Sequence, residues 1–122
     1  MLLAVVTPLA GCAKVTARTV PFTEAQRYPP TDPVFIAILR SPPERPHMRL
    51  GEIYLEPVRN PSVADLQDAL RKAASELGAD GVVIVADKSN LMGGTAAGSL
   101  WGLETGQVQE GVVVAIAIRY LQ

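Results

Sequence analysis

The chain has 122 residues, of which 48% are hydrophobic and 19% are charged, so its length and composition fit one globular domain and exclude a disordered segment. Lys and Arg number 11 against 12 Asp and Glu, which gives a net charge of -1 and no broad basic field. We therefore expect no nucleic-acid partner.

Residues 1–11 are apolar and uncharged. The last three of them and the next residue, which is the chain's only cysteine, are Leu9, Ala10, Gly11 and Cys12. This tract resembles the lipobox of bacterial lipoproteins, in which the cysteine thiol receives a diacylglycerol, the signal peptide is cut before it and the new N-terminus is acylated. The resemblance implies a signal peptide over 1–11 and attachment to the membrane through Cys12. Ala13, in place of Asp, is typical of lipoproteins sorted to the periplasmic side of the outer membrane in bacteria with two membranes.

Two other interpretations of Cys12 are a transmembrane anchor and a buried core thiol. A spanning helix needs about 20 apolar residues, and Lys14 and Arg18 come too soon for one. A core thiol is disfavoured because the surrounding residues have neither a helix nor a strand period. With no second cysteine, the mature chain has no structural disulfide.

Residues 13–33 show no apolar period, and Tyr28-Pro29-Pro30-Thr31-Asp32-Pro33 is typical of polyproline II. We therefore predict a lipidated N-terminus and proline-rich tether over 12–33, followed by a single domain over 34–122. At about 3.1 Å per residue the tether reaches at most ~65 Å from the bilayer.

The first strand is predicted from the continuous apolar run Val34–Leu39, which is closed off by prolines and is expected to be buried on both faces. Residues 50–56 alternate, which predicts a half-exposed strand at the sheet edge. Its two sides are Gly51, Ile53 and Leu55 against Glu52, Tyr54 and Glu56. Two further buried strands are predicted over 82–86 and 112–120.

A helix is predicted between the second and third strands. Ser62 and Asp65 fit a capping box, although Asn60 with Pro61 at the first helical position is an equally good start. One apolar stripe is predicted to face the core, and Gly78 fits a left-handed C-cap. The stripe consists of Val63, Leu66, Leu70, Ala73 and Leu77.

The stretch from Asp87 to Gly111 is long for a loop. Its glycines at 94, 98, 102 and 106 resemble a glycine zipper, but glycine weakens a helix in water, which favours a loop with Trp101 as its apolar anchor. One helix covers only one face of a four-stranded sheet, so either this loop or a second copy of the chain must cover the other. The candidate interaction surface comprises Leu91, Met92, Leu100, Trp101 and Leu103.

The polar residues do not combine into a catalytic set, and we predict no enzyme. His47 is the only histidine and is interpreted as an exposed loop residue, because a metal site would need carboxylates alone to join it. Asp65 and Asp68 suit the first helical turn, and Asp80 suits a turn whose backbone groups it satisfies. A further candidate contact surface, which could equally be a solvated rim, comprises Arg40, Arg45, Arg49 and Arg59.

The tract from Leu66 to Val85, LQDALRKAASELGADGVVIV, resembles a segment of small bacterial envelope lipoproteins that joins a helix to a central strand. It is similar to the domain of the Rcs envelope-stress sensor lipoprotein and of YbjQ-type proteins, a heavy-metal-binding group. The resemblance implies only the fold here, because the sensor's paired cysteines have no counterpart.

We therefore expect an α+β fold with the order β-β-α-β-β, a right-handed crossover from the second to the third strand and a helix on one face. The expected function is a non-enzymatic, lipid-anchored envelope module, without cofactor or metal, that binds another envelope protein or itself. The alternative is a metal- or small-ligand-binding envelope protein that uses His47 with nearby carboxylates.

Overall fold

The computed structural model describes residues 15–58, 61–87 and 112–121. Over these residues the chain is α+β, with one α-helix and a five-stranded mixed sheet. The strands are β1 (Val15–Pro21), β2 (Ala37–Leu39), β3 (His47–Pro57), β4 (Gly81–Asp87) and β5 (Val113–Tyr120), and the helix α1 is Val63–Glu76. The α+β class and the single helix on one face agree with the sequence prediction, whereas the predicted four strands are wrong.

The strand order across the sheet is β1-β3-β5-β4-β2. Strand β5 runs antiparallel to both β3 and β4, so these two are parallel to each other and α1 connects them past β5. Strand β2 pairs in parallel with β4 at the opposite edge from β1. At one end of the sheet lie the starts of β1 and β5 and the ends of β3 and β4. At the other lie the ends of β1 and β5 and the starts of β3 and β4.

The fifth strand, β1, comes from the stretch predicted as a tether. It pairs antiparallel with β3 from Val15 opposite Pro57 to Pro21 opposite Gly51. Gly51 permits the close approach, because a Cβ built there would lie 2.8 Å from the Val20 carbonyl oxygen. The hydrophobic pattern of the sequence does not predict β1. An edge strand exposes most of its side chains, so β1 carries no apolar alternation.

The proline-rich segment after β1 is also fixed to the domain. The Thr31 amide donates to the Ser75 carbonyl at 3.0 Å, and the Thr31 hydroxyl donates to the Ala79 carbonyl at 2.7 Å. In return, the Ser75 hydroxyl donates to the Thr31 carbonyl at 2.7 Å. The described residues before 34 therefore belong to the folded unit and hold the C-terminal end of α1.

The predicted strand Val34–Leu39 is shortened to the three residues of β2. Asp32 and Pro33 begin a 3₁₀ helix, Pro33–Phe35, in which the Asp32 side chain accepts a hydrogen bond from the Val34 amide at 3.0 Å. Val34 and Phe35 are 72% and 82% exposed, so the prediction that both faces of this run are buried is wrong. The N-cap and the fixed φ of proline outweigh the strand preference of the apolar run.

The predicted edge strand is an interior one, because β3 lies between β1 and β5. Its alternation is real, but the polar side is covered in part: Glu52 is fully buried and accepts a hydrogen bond from the Tyr54 hydroxyl at 2.6 Å, whereas Tyr54 is half-buried and Glu56 is exposed. Ile53 and Leu55 face the helix side and are fully buried, as predicted. Glu52 therefore lies on a part of the second face that is covered.

Helix α1 follows the sequence prediction closely. The Asp65 amide donates to Ser62 Oγ at 3.1 Å and the Ser62 amide donates to Asp65 Oδ2 at 2.8 Å, which is the predicted capping box. Leu66, Leu70 and Ala73 are buried against the sheet, whereas Val63 is 41% exposed. Gly78 follows the helix with φ of +80°, as its C-cap role requires.

The two faces of the sheet carry separate apolar clusters. Ile53, Leu66 and Ile84 belong to the cluster under α1. On the other face Val83 and Ile116 are fully buried in a cluster to which Phe22, Leu39, Tyr54 and Tyr120 contribute. The predicted covering residues Leu91, Met92, Leu100, Trp101 and Leu103, like the repeated glycines, lie outside the described residues.

Candidate functional site

One end of the sheet collects arginines and aromatic rings from distant parts of the chain. Strand β1 finishes there, β3 begins there and β5 ends there, with His47 opposite Tyr120 and Met48 opposite Arg119. We call this region the arginine end, defined by Phe22, Tyr28, Arg45, Arg49, Arg119 and Tyr120. Because these residues come from four chain segments, only the folded sheet brings them together.

Each arginine of this region lies over an aromatic ring. The Arg45 guanidinium is 4.2 Å from the centre of the Tyr120 ring, and that of Arg119 is 4.1 Å from the Tyr28 ring. The guanidinium of Arg49 is 5.8 Å from the Phe22 ring. Stacking on a ring face favours a cation electrostatically and holds the planar group in one orientation.

Arg119 also supports the backbone beneath it. Its Nη1 donates to the Gly78 carbonyl at 2.7 Å, while its guanidinium stacks on Tyr28. The Tyr28 hydroxyl in turn contacts Met48 Sδ at 3.3 Å and Gln26 Oε1 at 3.2 Å. This chain of contacts joins the end of α1 to the segment after β1, so the arginine end is a connected structure.

A cleft of about 760 Å³ opens beside these residues, between the turn after β1 and the start of β3. Phe22 anchors the turn, since its amide donates to the Leu50 carbonyl at 3.0 Å and its ring is buried. The Ala25 amide donates to the Phe22 carbonyl at 3.1 Å and closes the turn. The cleft is lined by Phe22, Thr23, Glu24, Ala25, Gln26, His47, Met48 and Arg49.

His47 lies in this cleft, at the first position of β3, and is half-buried, so its assignment to an exposed loop is wrong. Its Nδ1 is 2.8 Å from the Arg45 carbonyl oxygen, a contact that fixes the ring. Glu24 also lines the cleft. Across residues 15–58, 61–87 and 112–121, no three His, Cys, Asp or Glu side chains are grouped as a metal site requires.

The predicted structural roles of the aspartates are confirmed at two positions. Asp65 caps α1, and Asp80 Oδ2 accepts a hydrogen bond from the Tyr120 amide at 2.9 Å. The Asp80 amide itself donates to the Ile118 carbonyl at 2.8 Å. Asp80 therefore fastens the start of β4 to the end of β5, at the residue whose ring Arg45 covers.

The other predicted sites divide between described and undescribed residues. Arg45 and Arg49 come together at the arginine end, whereas Arg40 follows β2 at the far edge of the sheet. Arg59 and the lipobox residues Leu9, Ala10, Gly11 and Cys12 lie outside the described residues. The sequence prediction missed Phe22, Tyr28 and Arg119, since nothing local links residues 91 positions apart, as 119 and 28 are.

Comparison with known proteins leaves the family open. No family model and no curated protein matches the sequence. A solved structure resembles the chain. It is the crystal structure of the Francisella virulence factor FvfA, with a TM-score of 0.45 and 12% sequence identity, and the match covers 87% of this chain and 97% of that one. No helix in the described part of the chain is long and apolar enough to cross a membrane.

Proposed function

We propose that this protein is a non-enzymatic, lipid-anchored module of the bacterial cell envelope whose arginine end binds an acidic surface of another envelope protein. The observation that carries the proposal is the set of three arginines that stack on aromatic rings at this end of the sheet, of which Arg49 lines the cleft. The anchor is Cys12, on the lipobox resemblance, and the location is the periplasmic side of the outer membrane where the host has two membranes. The resemblance of residues 66–85 to envelope lipoproteins supports the same assignment.

The residue types of the arginine end suit protein recognition. Arginine, tyrosine, phenylalanine and methionine are enriched at protein interfaces, and arginine and tyrosine are enriched among the residues that dominate binding energy. A guanidinium already stacked on a ring loses less conformational freedom when it binds a carboxylate. The three arginines are thus preorganised for acidic side chains.

The charge distribution also supports this choice of partner. The whole chain carries a net charge of -1, yet Arg45, Arg49 and Arg119 lie together at one end of the sheet. Of the acidic residues nearby, Glu24 lines the same cleft as Arg49, and Asp80 accepts a hydrogen bond from the Tyr120 amide. Arginines gathered at one end of a nearly neutral protein favour an acidic partner and speed association with it.

The test is photo-crosslinking in cells with a photoreactive amino acid at position 23, which lines the cleft. The matched control places it at position 72, on the exposed side of α1. We expect a discrete crosslinked product from position 23 alone. Replacing Arg45 and Arg49 by Gln should reduce it about fivefold, the effect of ~1 kcal/mol in binding, and Arg40→Gln should leave it unchanged.

The lysine double variant, with Arg45→Lys and Arg49→Lys, separates stacking from charge. Lysine keeps the charge but lacks the planar group. We therefore expect a crosslinking yield between that of the unchanged protein and that of the glutamine double variant. Equal products from positions 23 and 72, or a yield that the glutamine variants do not change, would refute the acidic-partner proposal. A product with twice the mass of the chain would identify a second copy as the partner.

A second candidate function is the binding of a small ligand or metal ion in the cleft. The observation that favours it is the volume of about 760 Å³, in the usual range for ligand sites, with His47 and Glu24 in the lining. Metal analysis of protein purified without chelator tests this candidate. A stoichiometric ion that is lost in His47→Ala would favour it over the interaction module.

A further inference from the structure

The end of the sheet opposite the arginine end lies next to the lipid attachment site. Strand β1 begins there at Val15, opposite Pro57 of β3, and Leu55 of β3 pairs with Val113 of β5. Asp87, the last residue of β4, is opposite Val113. We call this region the anchor edge, defined by Val15, Pro57, Val58, Val63, Asp87 and Val113.

The length of chain between the lipid and the sheet is short. Cys12 precedes Val15 by three residues, and consecutive Cα atoms are about 3.8 Å apart, so the lipidated residue lies at most ~11 Å from the start of β1. The ~65 Å reach predicted for a tether over 12–33 does not apply, because that segment is folded from Val15 onward. A lipid on Cys12 therefore holds the anchor edge at the bilayer.

The surface at this edge suits contact with lipid. Val58, which follows β3, is 55% exposed, and Val63, the first residue of α1, is 41% exposed. Exposed valines close to an acyl anchor can enter the interfacial layer and add to membrane affinity. Val34 and Phe35 form the other exposed apolar pair, but they precede β2 on a different side of the domain.

We propose that the anchor edge contacts the bilayer surface, with Val58 and Val63 at the interface, so that the arginine end faces away from the membrane. The inference rests on the lipid anchor at Cys12 in the proposed function. Strand β3 connects the two ends with 11 residues, about 35 Å at ~3.3 Å per residue. The arginine end then meets soluble or opposite-membrane proteins, not lipid headgroups.

The lone cysteine makes the test simple. Once the Cys12 thiol is acylated, a cysteine introduced elsewhere is the only reactive one. Acylated protein with Val58→Cys, Val63→Cys, Phe35→Cys or Glu44→Cys carries a fluorophore and is reconstituted in vesicles of phosphatidylethanolamine and phosphatidylglycerol. Quenching by headgroup nitroxide lipids then reports which residues lie at the bilayer.

We expect strong quenching at positions 58 and 63 and weak quenching at positions 35 and 44. Inserting a flexible Gly/Ser linker of about 20 residues before Val15 should leave the protein on the vesicles, because the lipid is unchanged, but reduce the quenching at position 58 severalfold. Stronger quenching at position 35 than at 58, or equal quenching at 44 and 58, would overturn this orientation.

The same samples distinguish failure of the orientation from failure of the anchor. The intact mass of the protein and its flotation with vesicles, compared with Cys12→Ala, report lipidation. Acylated, vesicle-bound protein with uniform quenching overturns the orientation and leaves the anchor intact. A chain that is not acylated at Cys12 overturns both.

Discussion

Replacing Gly78 by alanine should destabilise the domain strongly, for a reason that begins with the end of α1. The Ala79 amide donates to the Ala74 carbonyl at 3.1 Å and the Gly78 amide donates to the Ser75 carbonyl at 3.0 Å, which is the Schellman pattern. This pattern requires the left-handed conformation, and Gly78 has φ of +80°. A residue with a Cβ pays about 1–2 kcal/mol to adopt it.

The second contribution is steric. A Cβ at Gly78 would lie 2.6 Å from Tyr28 Cβ and 2.9 Å from the Pro29 carbonyl oxygen. Tyr28 has little room to move, since Arg119 stacks on it and also holds the Gly78 carbonyl. Overpacking of this kind costs about 1–3 kcal/mol.

Together the two contributions give a loss of about 2–5 kcal/mol in the free energy of unfolding. At ~4 °C per kcal/mol for a domain of this size, the melting temperature should fall by about 8–20 °C. The assay is thermal unfolding followed by circular dichroism, on protein that starts at residue 12 and carries Cys12→Ala.

Two other glycines serve as controls, because neither has a positive φ. At Gly51 a Cβ would lie 2.9 Å from Pro21 Cα, so Gly51→Ala isolates the steric cost. At Gly81 the nearest atom would be the Ala37 carbonyl oxygen at 3.3 Å, so the loss should be small. A Gly78→Ala protein that melts within about 2 °C of the unchanged protein, or no lower than Gly81→Ala, would refute the reasoning.

Two further substitutions test single hydrogen bonds by urea denaturation. Ser62→Ala removes the capping box and should cost about 1 kcal/mol, whereas Ser62→Asp, another good N-cap, should retain most of the stability; equal losses would contradict the cap assignment. Tyr54→Phe removes the donor at 2.6 Å from the buried Glu52 and should cost about 1–2 kcal/mol. Tyr28→Phe, whose hydroxyl contacts a weak sulfur acceptor, should cost less, and the reverse order would argue against this role of Tyr54.

The sequence predicts best where the signal is local. The capping box at Ser62, the apolar stripe through Leu66 and Leu70 and the glycine at 78 all lie within 17 residues, and each is found in the structure as predicted. The strand that follows, β4, is also found, because a fully buried strand is a continuous apolar run. These elements depend little on what the rest of the chain does.

The sequence-based prediction is wrong where neighbouring residues or a partner strand determine the secondary structure of a segment. Strand β1 has an unremarkable composition and exists because β3 presents Gly51 and a free edge to it. The run from Val34 has strand-forming residues, yet Asp32 and Pro33 turn its start into a 3₁₀ helix. Whether a segment pairs with a neighbouring strand or is capped as a helix depends on residues outside it, so the number of apolar residues in the segment does not predict it.

The candidate site could be predicted only in part. Arg45 and Arg49 were singled out from the sequence, but their rings, Tyr120 and Phe22, were not. The pairs depend on the register of β3 with β5 and on the turn after β1, which sequence spacing alone does not specify. A site assembled from strand ends becomes visible only when the strand order is known.

The position of β1 determines where this chain can be cut for recombinant work. A soluble version that starts at residue 34, as a tether boundary suggests, would strip one strand from β3 and leave its 11 residues as a bare sheet edge. It would also remove Tyr28 and Thr31, which hold the end of α1. An uncovered edge of that length invites intermolecular strand pairing, so such a product should aggregate. A version that starts just before Val15 keeps all five strands and omits the proposed lipid attachment site at Cys12.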